Sequence, residues 1–273
     1  MADQRILITG SSGRVGTLLR TRLVRPGRVL RLFDVREPEE LTGTGAEEVV
    51  VGSVDDIDAL VPALDGVDAV LHLGGQSREA TAELVLRTNA YGTYCLLEAA
   101  RRTGVKRILL ASSTHVAGFH SLSEHPSEVP ADIEARPDTL YGWSKVAAES
   151  AGRLFHDRFG MDVICLRIGQ CFPTPPGLRG LAMWMSPDDC ARLVEAAIST
   201  PEPGFLQVWG ISRNTRRWLS LAEGEAIGYR PVDDAEEYAE KYIAELGEPD
   251  MVADPALNRV GGSWCDMPLG QTF

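Results

Sequence analysis

The chain contains no C-x-x-C pair, and its five cysteines are an odd number. Cys95, Cys165, Cys171, Cys190 and Cys265 therefore suggest no disulfide framework. Three of them fall in apolar stretches, where a free thiol behaves as a small hydrophobe. Cysteine and histidine never occur at zinc-binding spacing, so no metal is expected. No apolar run approaches the ~20 residues that cross a bilayer. Met-Ala-Asp-Gln runs straight into a β-type stretch, leaving no room for a signal peptide. Together these absences predict a reduced, cytoplasmic protein with no membrane partner. Basic residues are also scarce: 27 Lys and Arg face 39 Asp and Glu, for a net charge of −12. That disfavours nucleic acid, which needs a basic surface. It does not exclude an anionic small molecule gripped by one or two local arginines. Internal repeats and low-complexity tracts are missing too.

What is present suits a globular protein with a sizeable core: 273 residues, 44% of them hydrophobic and 24% charged. Short runs rich in β-branched residues predict strands at Arg5–Thr9, Val29–Phe33, Glu48–Val51, Ala69–Leu73, Arg107–Ala111 and Asp162–Ile168. Helical periodicity marks Val15–Val24, Asp55–Leu64, Ala80–Arg102 and Tyr141–Phe159. Alternation of this kind predicts an α/β fold, a doubly wound parallel sheet covered on both faces. Ligands bind such sheets beyond the carboxyl ends of the strands. Gly10, Asp34, Gly74, Ser113 and Gly169 all fall at such ends.

After Gly169 the pattern changes. Phe172–Leu181 reads as a Pro/Gly-rich loop, and Ser186-Pro187-Asp188-Asp189 as the start of a helix running to about Ser199. Phe205–Trp209 reads as a further strand, and Asp233–Leu246 as an acidic, solvated surface helix. The expectation is one Rossmann-type domain over residues 1–273. Residues 1–169 are mainly the nucleotide-binding core, and 170–273 mainly an irregular C-terminal substrate cap.

Two constellations carry chemistry. Gly10-x-x-Gly13-x-x-Gly16 lies between a strand and a helix, which makes it a cradle for a pyrophosphate at the helix N-terminus. Asp34 ends the second strand, where a carboxylate accepts hydrogen bonds from the adenosine ribose of NAD and repels the extra phosphate of NADP. Arg14 and Arg36 are close enough in sequence to offset part of that repulsion. Tyr141 and Lys145 are four apart, on one helix face. A phenol beside an ammonium group is a candidate acid/base, because the positive charge favours the phenolate.

Gly10-x-x-Gly13-x-x-Gly16, Asp34, Asn89, Ser113 and Tyr141-x-x-x-Lys145 together resemble the extended short-chain dehydrogenase/reductase family over about Ile6–Gly169. The resemblance implies an NAD-binding fold with Ser113, Tyr141 and Lys145 as catalytic residues, and with Asn89 helping to position the lysine. Cofactor contacts are implied from Gly10, Ser12, Gly13, Arg14, Val15 and Gly16, from Asp34, Ser53 and Val54, and from Leu73, Gly74 and Gly75. Asn89, Tyr141, Lys145 and Ile168 complete that set. Thr114-His115 stands where nucleotide-sugar dehydratases carry Asp-Glu, so the pair for water elimination is missing.

Within the family the chain is similar to the uronate dehydrogenase group. The similar segments are His72-Leu73-Gly74-Gly75, Ala111-Ser112-Ser113-Thr114-His115, Arg167-Ile168-Gly169-Gln170-Cys171, Arg179, Trp184, Asp188-Asp189 and Val208-Trp209-Gly210. That likeness implies oxidation of C1 of a hexuronate and a homo-oligomer. It also implies a sugar pocket lined by Ser77, Ser113, Thr114, His115, Tyr141, Gln170 and Arg179. Arg179 would grip the carboxylate in a two-pronged contact. Thr114, Gln170 and Ser53 depart from the Asn, Ser and Asp usual at their positions. The other readings are a related sugar dehydrogenase or epimerase and a non-catalytic NAD sensor. His72 is expected to be packed, His120, His125 and His156 to be surface or loop residues, and Trp184 and Trp209 to be core.

Overall fold

The computed structural model describes residues 3–125 and 127–271. Its centre is a seven-stranded sheet, every neighbouring pair parallel, built from β1 (Gln4–Thr9), β2 (Arg28–Asp34), β3 (Glu47–Val51), β4 (Ala69–His72), β5 (Arg107–Ser113) and β6 (Asp162–Ile168). Two residue pairs, β7 (Gln170–Cys171) and β8 (Trp184–Met185), form a separate small ladder, and β9 (Phe205–Gly210) completes the main sheet. The spatial order is β3-β2-β1-β4-β5-β6-β9. Succession reverses between β1 and β4, and it is beyond such a reversal that the crevice of an open α/β sheet opens.

Alternate side chains supply the two faces, as the two-residue period of a strand requires. Ile6, Ile8, Leu71, Leu109 and Ile164 join one core; Leu7, Val70, Ile108, Val163 and Cys165 join the other. Helices α1 (Arg14–Leu23), α2 (Ile57–Ala63), α3 (Ala82–Val85), α4 (Gly92–Thr103), α5 (Leu140–Phe159), α6 (Gly177–Met183) and α7 (Pro187–Ser199) follow in chain order. Leu19 and Leu23 of α1 share the first core with Leu193 and Val194 of α7; Leu60, Leu96 and Phe155 bring α2, α4 and α5 to the second. α7 begins as its residues dictate: Ser186 caps it by accepting the Asp189 amide at 2.9 Å, with Pro187 in the first turn.

Three expectations need correction. The long helix at 80–102 is not regular: Leu86–Tyr91 between α3 and α4 is a π-helical turn, and Asn89 lies in it. Such turns displace one residue from the α register and recur at functional sites. The stretch 172–181 is not all loop, because α6 starts at Gly177, whose φ of +72° suits glycine, and it carries Arg179. The acidic 233–246 segment is not wholly solvated. Ala235 and Ala239 are buried, and Tyr238, Tyr242 and Ile243 pack with them on Leu181 and Trp184. The carboxylates between them had masked an apolar stripe at helical spacing. Among the described residues no helix is long and apolar enough to cross a membrane.

Candidate active site

Beyond the β1 and β4 ends, the chain turns tightly at Gly10, φ +66°. A Cβ at Gly10 would lie 2.7 Å from the Gly74 nitrogen, and one at Gly16 2.7 Å from the Ser11 carbonyl. Only glycine permits both approaches. α1 then starts from Gly13 with no side-chain cap and no acidic residue in its first turn. Its leading N–H groups and the positive end of the helix dipole are left for an anion. From here a cavity of about 1150 Å³ extends to the C-terminal segment, lined at its near end by Gly10, Gly13, Arg14, Asp34 and Ser53. These are the features that fit a dinucleotide. Asp34 is held by the Ser12 amide (2.9 Å to Oδ2), and Arg36 donates to the Ser12 carbonyl at 3.1 Å. The Arg14 guanidinium stacks over Phe172, 4.6 Å from the ring centroid.

Midway along the cavity are Ser113, Tyr141 and Lys145. The N-terminal amides of α5 are all accounted for, and this fixes Tyr141 in place. Glu79 accepts Leu140 N–H at 3.3 Å and Tyr141 N–H at 2.8 Å; Thr139 accepts Gly142 N–H through its hydroxyl at 3.0 Å and Trp143 N–H through its carbonyl at 2.9 Å. Lys145 Nζ donates to the Ala111 carbonyl at 2.8 Å and lies 5.7 Å from the Tyr141 ring centroid. Burial pushes the Lys145 ammonium down to about 8, with Glu149 opposing. Burial pushes the Tyr141 phenol up to about 12; a hydrogen bond with Ser113 pulls the other way, and Asp138 adds to the rise. Within the protein alone, desolvation outweighs the Ser113 hydrogen bond at the phenol.

Asn89, expected to touch the cofactor, is buried behind the cavity lining, while Ser12 is half-buried in the glycine-rich turn. Asn89 Oδ1 accepts the Gln76 amide at 2.7 Å, and its Nδ2 donates to the Gln76 carbonyl (3.0 Å) and to Ser144 Oγ (2.9 Å). It ties the β4 loop to the residue beside Lys145, in keeping with a positioning role. The other expected cofactor residues, Val15, Gly16, Val54, Leu73, Gly74, Gly75 and Ile168, all line the cavity. Ser53 hydrogen-bonds Asp55 through its hydroxyl.

At the far end the cavity gathers Ser77, Thr114, His115, Gln170 and Arg179. Arg179 is half-buried with its Nε enclosed; Nη2 already donates to the Val260 carbonyl, and Nε abuts Gly262. The expected two-pronged grip is therefore partly used inside the protein. Burial lowers the guanidinium to about 10, with Asp138 opposing. Among the described residues, buried Gln170 Oε1 has no hydrogen-bond partner. His115 Nδ1 is 2.7 Å from Asp138 Oδ2, and its ring stacks on Trp264 at 4.1 Å.

Sequence reasoning missed Glu79, Asp138 and Trp264. Asp138, in Pro137-Asp138-Thr139 just before the tyrosine motif, could have been flagged as an acid beside a helix cap; Trp264 carries no local signal. Of the remaining histidines, His72 is packed as expected, its ring nitrogens 2.7 Å from Thr9 Oγ1 and 3.2 Å from Thr93 Oγ1. His120 is a loop residue but buried, against the Glu134 carbonyl. His120, Glu124 and His125 cluster closely enough to hold an ion, yet Arg136 lies among them, 3.0 Å from Glu124 and 3.5 Å from His120. Trp184 and Trp209 are core residues, as expected.

Known proteins agree with this geometry. The family model described as NAD dependent epimerase/dehydratase family matches residues 6–177. The chain is 38% identical over 260 residues to the uronate dehydrogenase of Pseudomonas syringae pv. tomato, covering 95% of this chain and 92% of that protein. The crystal structure of glucuronic acid dehydrogenase from Chromohalobacter salexigens is similar with a TM-score of 0.89, at 33% identity over 97% of each chain. A mutant uronate dehydrogenase from Agrobacterium tumefaciens, complexed with NAD, is similar with a TM-score of 0.87, at 36% identity over 98% of each chain. On these matches, the chain belongs to the NAD dependent epimerase/dehydratase family.

Proposed function

We propose that this NAD-dependent sugar dehydrogenase oxidises C1 of a free hexuronate, glucuronate or galacturonate, to the aldarolactone. The observation that carries the reading is the meeting, in one cavity, of Ser113, Tyr141 and Lys145 with a half-buried guanidinium, Arg179, suited to a carboxylate. The named relatives support the same substrate class.

When bound, NAD would supply the acceptor for the hydride that leaves C1. Gly10, Gly13 and Gly16 let the backbone approach its pyrophosphate, and Asp34 takes the ribose hydroxyls. Tyr141 removes the proton of the anomeric hydroxyl as general base. Burial opposes its ionisation, so the positive charge of Lys145 and of the pyridinium must outweigh that cost when substrate is bound. Ser113 donates a hydrogen bond to the reacting oxygen, and Thr114, Gln170 and Ser77 hold the ring hydroxyls. We also read the protein as a homo-oligomer, which light scattering tests.

The discriminating experiment pairs Arg179→Ala with a panel of uronates and the matching neutral hexoses, followed by NADH absorbance. Loss of a charge-assisted contact should raise KM for uronates by roughly 10- to 100-fold and leave NAD affinity alone. An unchanged uronate KM, or wild-type turnover of neutral sugars only, would remove the carboxylate from the reading.

A further inference from the structure

Asp138 is a buried carboxylate to which neither composition nor motif drew attention. Its side chain is fully enclosed. One oxygen, Oδ2, faces His115 Nδ1 at 2.7 Å; the other, Oδ1, accepts the Thr139 hydroxyl at 2.9 Å. The Thr139 hydroxyl in turn caps the helix that carries Tyr141. Gly118 and Gly261 pack against the carboxylate from two sides, and a Cβ on either would collide with Oδ2. The pocket around it is thus built from three separate stretches of chain. Trp264 closes the arrangement by stacking on the His115 ring, at 21° between planes.

An ionised carboxylate only accepts hydrogen bonds, so the nitrogen opposite it carries the proton. We propose that Asp138 is a positioning residue for sugar recognition, holding His115 as the Nδ1–H tautomer so that Nε2 presents its lone pair to a substrate hydroxyl. This rests on the sugar-dehydrogenase reading and adds to it which nitrogen does the recognising. The same logic operates wherever a buried acid fixes an imidazole from behind. Trp264 restricts ring rotation, and the enclosed Asp138 restricts protonation from behind without reaching the cavity.

The test has two arms. In the wild-type protein, imidazole ¹⁵N signals of His115, identified by their loss in His115→Gln, should show a protonated Nδ1 in the neutral ring. A dominant Nε2–H tautomer would overturn the proposal without any variant at Asp138. The second arm is a mutant cycle, measured as kcat/KM on the sugar the wild type turns over best. Asp138→Ala should lower it by roughly 10- to 100-fold, the cost of freeing a buried donor. Asp138→Asn, which still accepts from Nδ1–H, should recover most of that loss. In a His115→Gln background the Ala and Asn variants should differ by less than about twofold, since residues acting through one another are not additive. An equal loss in both backgrounds would make Asp138 a scaffold residue only. If Asp138→Ala does not fold, the Asn variant and the wild-type ¹⁵N signals still decide. Wild-type failure on every uronate would sink the substrate reading while leaving the ¹⁵N result to stand or fall alone.

Discussion

Glu79 Oε2 accepts the backbone N–H of Tyr141 at 2.8 Å, across 62 residues of sequence. Its other oxygen takes the Leu140 amide at 3.3 Å and the Gly270 amide at 2.8 Å. One buried carboxylate therefore joins its own loop, the start of the helix bearing Tyr141, and the C-terminal segment whose Trp264 lines the pocket. A negative charge at a helix N-terminus is favourable in itself. Glu79→Ala should free several buried donors and destabilise the fold by roughly 1–3 kcal/mol. It should lower kcat as Tyr141 loses its anchor, whereas Glu79→Gln should cost much less. Urea midpoints and kcat measured on both variants check this; equal behaviour of the two would deny the anchoring role.

Tyr141 and Lys145 make opposite demands on pH. Burial holds the phenol up at about 12 and the ammonium down at about 8. The proposed mechanism needs the phenolate and the ammonium together, so kcat should climb with pH on its acidic side. Tyr141→Phe should lower kcat by roughly 10²- to 10⁴-fold, the usual worth of a positioned base, with NAD affinity kept. Lys145→Met should shift the acidic limb of the kcat profile to higher pH, because the phenol loses its cation. A profile from pH 6 to 10 that keeps its midpoint would contradict the assigned role.

The legible parts of this molecule are those whose partners lie near in sequence or follow from strand order. Gly10, Gly13, Gly16 and Asp34 announce themselves because a phosphate-binding turn needs glycine and a ribose needs an acid one strand later. Ser113 and Tyr141 are brought together by the alternation of strands and helices alone. Glu79 and Asp138 are different: each acts on a backbone amide or a ring that only folding brings close, and an isolated acidic residue looks like any surface charge. Trp264 reaches His115 across nearly 150 positions with no repeating pattern to mark it. Helix α6 was hidden by the prolines ahead of it, and with it the fact that part of the Arg179 guanidinium is occupied by the chain's own carbonyl.

His72 predicts how the protein responds to acid. Burial is the main cause that takes its imidazole from 6.5 down to about 3, with Lys145 a secondary one. The unfolded chain binds the proton below 6.5 and the folded chain does not until about 3, so the unfolded state holds more protons throughout that window. Stability must then fall as pH drops from 6.5 toward 3, by at most roughly 1.4 kcal/mol per pH unit from this group. Melting temperatures across the range should show the slope, and His72→Asn should flatten it. An equal slope in the variant would assign the acid sensitivity to other groups.

If Asp34 selects the dinucleotide, as proposed, the local geometry says by how much that choice can be moved. Its carboxylate is fixed by the Ser12 amide, and the Arg36 guanidinium is bonded to the Ser12 carbonyl at the same turn. The acid repels a 2′-phosphate while a guanidinium stands within one turn of it, already oriented. The Arg14 guanidinium is instead stacked on Phe172, 4.6 Å from the ring centroid. Removing the charge alone should therefore be enough to admit NADP without a new arginine. In Asp34→Asn, kcat/KM for NADP should rise by roughly tenfold as a like-charge repulsion of about 1.4 kcal/mol is lifted. The NAD value should fall less. Adding Arg36→Ala to that variant should cancel the gain, and a double variant that keeps it would show that Arg36 takes no part.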